Sequence, residues 1–164
     1  MNGYSISEKA EGIHRRHTGH TLVCPLFEFF HQPESHSTVL DFYLGWWLDP
    51  LTYGEYPTTM RTHVGDRLPY FTKEESELVK GSFDFLGMNY YTAMYAINNN
   101  ATPSAQPIDF NDDTRVNLTS VKNGVLIGPQ AGSTWLHVYP RGIRALLNFI
   151  KVRYNNPTIY ITEN

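Results

Sequence analysis

The chain has 164 residues, of which 41% are apolar and 14% aromatic, with a formal charge of −3. That length supports one domain with a real core; the charge and the lack of a basic run give no electrostatic case for nucleic acid. No stretch approaches the ~20 apolar residues that span a bilayer, so no membrane partner is expected. Eleven Tyr, nine Phe and three Trp suit a large packed interior or a ring-lined pocket, and rings also stack on the flat faces of sugars.

The opening "MNGYSISEKAEG" has no apolar h-region, so no signal peptide is expected. In "HRRHTGH", His14 and His17 have no carboxylate or cysteine at ligand spacing, and a solvated segment is expected rather than a metal site. "TLVCPLFEFF" (21–30) is a continuous apolar run, as in a strand buried on both faces, with Pro25 marking a bulge or a strand end. Cys24 has no partner for a disulfide and reads as a buried, inert thiol.

After the polar break "HQPESHS", apolar residues recur at helical spacing in "TVLDFYLGWWLDPLT" (Leu40, Tyr43, Leu44, Trp47, Leu48), and "DP" predicts the helix end. "YGEYPTTMRTHVGDRLPYFT" reads as turn-rich and irregular. "TKEESELVKG" predicts a short helix with Thr72 as N-cap, acids in the first turn and Gly81 as the stop.

"FDFLGMNYYTAMYA" predicts a second buried strand, in which Gly87 marks a close backbone approach. Residues 97–134 are rich in Asn, Pro, Gly and Ser and read as one long loop, which in a compact domain tends to be functional. The sequons at Asn100 and Asn117 give a weak pointer to a secretory route (extracellular or vacuolar); the compartment stays open. "YPRGIRALLNFIKVRY" is an amphipathic helix and "TIYITEN" a third strand. Alternating strands and helices give an α/β architecture, and three such strands leave open edges that cannot close a barrel.

The third strand delivers Glu163 at its C-terminal tip, on the face where α/β folds build their sites. From position alone the carboxylate could equally satisfy a loop or cap a following helix.

The motifs decide for a site. "YPRGIRALLNFIKVRYNNPTIYITEN" resembles the nucleophile segment of glycoside hydrolase family 1, whose plant members are β-glucosidases. "LDFYLGWWLDPLTYGEYPTTMR" and "FDFLGMNYYTAMYA" resemble two further signatures of that family in the same order, and "GHTLVCPLFEFF" resembles its preceding strand more loosely. The resemblance implies that residues 1–164 are a partial (β/α)8 TIM barrel holding about three strands with their helices, without the N-terminal strands and the last strand.

It also implies roles. Glu163 would be the nucleophile of a retaining enzyme acting on terminal β-D-glucosides, and the Tyr91 hydroxyl would orient it. Asn89 would support the site, although a strand amide serving structure remains open, and Trp135 would stack on the aglycone, with core packing as the alternative. The small-molecule glucoside is the only partner implied; no cofactor or metal is implied, and the oligomeric state is not read.

A retaining glycosidase needs a second carboxyl group about 5–5.5 Å from the first. The family carries it in a T-x-N-E-P motif that this sequence lacks; Glu28 and Glu55 do not match that position and read as structural. "EFFHQPESHSTV" is shorter than the family pattern and leaves the register of 28–39 open. The 164 residues alone are therefore expected to turn over little or no substrate. Two rival readings are a non-catalytic sugar-binding or interaction protein derived from the barrel, and a thioglucosidase relative in which the acid/base glutamate is a glutamine.

Overall fold

The computed structural model describes residues 21–30, 33–99 and 109–164, with side-chain surroundings from residue 37 onward. The readings of His14, His17 and Asn100, and of the Cys24 and Glu28 side chains, fall outside the described residues.

The apolar run forms β1 (Thr21–Phe30), as its composition predicts. Residues 33–53 are helical throughout: α1 (Pro33–Leu40), a π-helical turn (Asp41–Gly45) and α2 (Trp46–Tyr53) follow without a break. Two expectations are corrected here. The helix begins at Pro33, inside the supposed polar break, because proline suits the first helical turn. It also runs past "DP", since Pro50 lies within α2 and the chain stops only at Gly54, which is left-handed (φ 85°) and donates its N–H to the Pro50 carbonyl at 2.8 Å. Tertiary contacts override the pre-proline preference: Leu48 is buried, and Asp49 accepts hydrogen bonds from Arg153 and Tyr154.

The supposedly irregular segment holds α3 (Thr58–Val64) and a 3₁₀ turn (Gly65–Arg67). Its β-branched content gives little helix propensity, so burial decides: Met60 and Val64, one turn apart, pack with Phe42, Tyr56 and Leu68 in a small core. The helix α4 (Lys73–Val79) forms as predicted, with Thr72 and Glu75 in a reciprocal capping box.

At the centre lies β2 (Phe85–Asn98). It pairs in parallel with β1 along one edge, from Thr21↔Phe85 to Phe30↔Tyr95. The long-loop reading is corrected over its described part, which folds into α5 (Phe110–Thr114), β3 (Val116–Thr119) and a hairpin of β4 (Val121–Lys122) and β5 (Val125–Leu126). Asp109 caps α5, accepting from the Asn111 and Asp112 N–H groups. At the hairpin tip Asn123 and Gly124 both have positive φ (51° and 76°), the conformation that Asn-Gly favours in a two-residue hairpin turn.

The amphipathic segment forms α6 (Pro140–Arg153), burying Leu146 and Ile150. Asn155 and Asn156 turn the chain in left-handed conformations, and β6 (Ile159–Glu163) pairs in parallel with the second edge of β2. Further along that edge β3 pairs antiparallel, Asn98↔Val116 to Tyr95↔Thr119. Among the described residues, three parallel strands therefore run in the order β1-β2-β6.

The helices α1, α2 and α6 cover one face of this sheet. Val39, Leu40, Leu44, Leu48, Leu146, Ile150 and Tyr154 pack there against Leu86, Met88 and Tyr90 of β2. Each fully buried aliphatic side chain contributes about 1.5–3 kcal/mol, so this layer is what fixes the sheet on the helices. Beneath it Arg153 bonds Asp49 at 2.7 Å and also pairs with Asp41, while the Tyr154 hydroxyl donates to Asp49. Among the described residues β6 pairs with β2 alone, and Tyr160 and Ile161, on its opposite faces, are both exposed.

Candidate active site

The site forms where β6 ends beside the middle of β2, and two irregularities shape it. Opposite β1, Leu26 faces Tyr90 and Phe27 faces Thr92, which leaves Tyr91 as an extra residue in β2. Opposite β6, Met88 faces Ile161 and Asn89 faces Glu163, which leaves Thr162 as an extra residue in β6. The irregularity expected at Pro25 thus lies one pair further on and belongs to the partner strand. Bulges of this kind re-aim side chains.

Here they bring four side chains together. The Tyr91 hydroxyl donates to the Glu163 carboxylate, and the Thr162 hydroxyl donates to Oδ1 of Asn89. Asn89 is buried, whereas Glu163 is exposed. The bond to Glu163 is the main cause that raises the Tyr91 phenol above its ordinary pKa of 10.0, because losing its proton would set a phenolate against a carboxylate.

Trp135 stands across from Tyr91, the rings edge to face at 6.2 Å between centroids and 88° between planes. It is 48% exposed. A small hairpin carries it: the Ala131 N–H donates to the Leu136 carbonyl and the Val138 N–H to the Pro129 carbonyl, each at 2.8 Å. Gly128 makes this fold possible, since a Cβ there would lie 2.2 Å from the Val138 carbonyl oxygen.

Two contacts fasten the hairpin to β2. The buried Thr92 hydroxyl donates to the His137 carbonyl (2.7 Å) and accepts from the His137 N–H (3.2 Å). The Tyr90 hydroxyl donates to the Tyr139 carbonyl (2.8 Å). Between these elements lies a cavity of about 380 Å³, lined mainly by Tyr90, Tyr91, Leu136, Val138, Tyr139 and Ile143.

The four residues singled out from the sequence therefore stand at one place. Thr162, Thr92 and His137 were not foreseen. Glu55 is exposed and 4.0 Å from Arg61, away from this cluster of contacts. Among the described residues no group of three or more His, Cys, Asp or Glu stands ready to hold a metal ion, and no helix is long and apolar enough to cross a membrane.

The family model for glycosyl hydrolase family 1 matches residues 17–164. The chain belongs to that family. Beta-glucosidase 12 of Oryza sativa subsp. indica is 50% identical over 162 residues, covering 95% of this chain and 31% of the relative. Furcatin hydrolase of Viburnum furcatum is 46% identical over 166 residues, covering 99% and 30%. A rice β-glucosidase solved in a covalent complex with Glc superposes with a TM-score of 0.82 at 40% identity, covering 88% of this chain and 32% of that one.

This glycosyl hydrolase family 1 chain thus spans about a third of the length of the curated relatives it matches. Its fold is a partial (β/α)8 barrel of which β1, β2 and β6 are adjacent staves.

Proposed function

We propose that these residues form the nucleophile-bearing part of a retaining β-glucosidase, with Glu163 attacking the anomeric carbon of terminal β-D-glucosides. The observation that carries this reading is the Tyr91 hydroxyl donating to Glu163 at the C-terminal end of β6, beside the parallel strand β2. The bond holds the carboxylate in one rotamer, as a positioned nucleophile needs. Attack forms the bond from the carboxylate oxygen to the anomeric carbon as the glycosidic bond breaks. The leaving oxygen takes a proton from a general acid, and water then hydrolyses the glycosyl ester.

Names of relatives support the glucoside: Beta-glucosidase 12 from rice, and the rice enzyme in covalent complex with Glc. Trp135, half open beside Tyr91, offers an aglycone a face to stack on. The general acid would come from barrel strands outside these 164 residues, because no T-x-N-E-P motif occurs in them. Without it the leaving group departs about 10²–10⁴-fold more slowly, so the isolated chain should be inactive or nearly so.

The test is trapping. The full-length protein carrying this segment, incubated with an activated 2-deoxy-2-fluoroglucoside, should gain one sugar on the peptide containing Glu163. A label on another residue, or turnover of aryl glucosides that survives Glu163→Ala, would refute the assignment.

A further inference from the structure

Tyr91 has to keep its hydroxyl on Glu163, yet strand pairing does not fix where its ring points. The ladder with β1 passes from Tyr90 to Thr92, and the ladder with β6 stops at Asn89. Among the described residues Tyr91 therefore has a Cα partner in neither of these strands. A residue left unpaired at a bulge is aimed by what its side chain meets. The Tyr91 hydroxyl meets the Glu163 carboxylate, and the Tyr91 ring meets Trp135 edge to face, at 6.2 Å between centroids and 88° between planes. That is one of the favoured arrangements of two aromatic rings.

Trp135 can serve as an abutment because its hairpin is bonded to the residue next to Tyr91. The fully buried Thr92 hydroxyl both donates to and accepts from the His137 backbone, at 2.7 and 3.2 Å. The His137 ring in turn donates from Nδ1 to the Trp135 carbonyl at 3.3 Å. The two rings thus stand on backbone segments that are pinned together one and two residues away.

We propose that Trp135 is a positioning residue for the nucleophile: its ring braces the Tyr91 ring so that the phenol stays on Glu163. This deepens the reading of Glu163 as the nucleophile and rests on it. The role is distinct from stacking on an aglycone, and the two chemical steps separate them. The aglycone departs in the first step. In the second, water attacks the anomeric carbon and the ester bond to Glu163 breaks. The carboxylate leaves with the electron pair, and the proton lost by water passes to the group that earlier served as general acid. No aglycone is present then, so a ring that only stacks on one has no part in that step. The Tyr91 donor still counts, because it bonds the carboxylate on which charge returns.

The experiment loads the full-length hydrolase with an activated 2-deoxy-2-fluoroglucoside, removes the excess, and times the return of activity in buffer without any acceptor alcohol. Trp135→Ala and Trp135→Leu, two ring-free variants, should slow that return by about 2–10-fold, the scale of one aromatic pair, with melting temperatures close to the parent's. Trp135→Phe, which keeps a ring, should bring the rate back to within about twofold of the parent. In a Tyr91→Phe background Trp135→Leu should cost little more, since the hydroxyl it acts through is gone. A parental rate in both ring-free variants, no rescue by phenylalanine, or full additivity with Tyr91→Phe would each overturn the proposal. Failure of the parent itself to gain a sugar on the Glu163 peptide is a separate result that removes the nucleophile assignment and the brace with it.

Discussion

Arg153 offers a quantitative check on how the catalytic strand is held. It ends α6, just before the turn into β6, and bridges Asp41 and Asp49. Both carboxylates have side chains only 9% exposed, whereas that of Arg153 is 26% exposed. Removing one partner of a buried ion pair costs about 3–5 kcal/mol, because a charge is left in a poor solvent. The partial exposure of the cation places Arg153→Met at the low end, about 3 kcal/mol.

With a urea dependence near the upper end for small proteins, about 3 kcal/mol per molar, the midpoint should fall by roughly 1 M at pH 7. The pH dependence follows from Asp49. Burial is the largest effect on it and raises its carboxyl pKa above the ordinary 3.8; Arg153 and the Tyr154 hydroxyl pull the other way. A carboxyl raised in the folded state stabilises the fold below its unfolded value, and that contribution is lost as the pH climbs through the folded value. Deleting Arg153 removes an opposing pull, so the folded value rises further and the loss above pH 3.8 deepens. The gap between parent and Arg153→Met should therefore be widest near neutrality and narrow towards pH 4. Urea titrations of the full-length protein at pH 4, 5.5 and 7, followed by tryptophan fluorescence, measure it. A midpoint shift under about 0.2 M at pH 7, or a gap that widens on acidification, would refute the claim that Arg153 neutralises buried charge.

Tyr91→Phe should lower kcat while leaving the fold intact, as read by steady-state kinetics and circular dichroism. In ultraviolet difference titration, one of the tyrosines titrating above 10 in the parent should move towards 10 in Glu163→Gln, since the carboxylate bond is the main cause of the raised Tyr91 value; Tyr43 and Tyr154, raised chiefly by burial, should stay where they are. Trp135→Ala should raise KM more for aryl glucosides than for alkyl ones, because only flat aglycones lose a stacking face; equal effects would mean the ring only packs. Gly128→Ala places a Cβ 2.2 Å from the Val138 carbonyl oxygen, so the Trp135 hairpin must shift, with a KM rise resembling that of Trp135→Ala and faster proteolysis within 127–139.

The parallel strands and the large amphipathic helix were legible because each shows its period over many residues. Leu146 and Ile150 occupy a helical stripe, and residues 85–90 form an unbroken apolar run apart from Asn89. The capping box at Thr72 and Glu75 was legible for a different reason: its hydrogen bonds are local, so three residues carry the signal. Helix α3 was not legible, since seven Thr-rich residues become helical only when Met60 and Val64 find Phe42 and Leu68. The β4–β5 hairpin was legible in principle: "VKNGVL" is Asn-Gly between two short strands that each carry a valine, lost within a stretch read by composition as one loop.

At the site, the types of residue were legible and their arrangement was not. Strand periodicity places Asn89 and Tyr91 on one face, which is right, and puts Thr162 and Glu163 on opposite faces, which is not. No residue type announces the bulge: Thr162 is a β-branched strand former like its neighbours, with no glycine or proline beside it. The extra residue is defined only by pairing with β2, a partner more than seventy positions away, so it is a property of the sheet rather than of the segment. The same pairing supplies the function. A strand of unbroken period could bring either Glu163 to Tyr91 or Thr162 to Asn89, and would point the other away. The displaced register is thus the feature that lets one short strand end present both a carboxylate and the hydroxyl beside it to the same two partners.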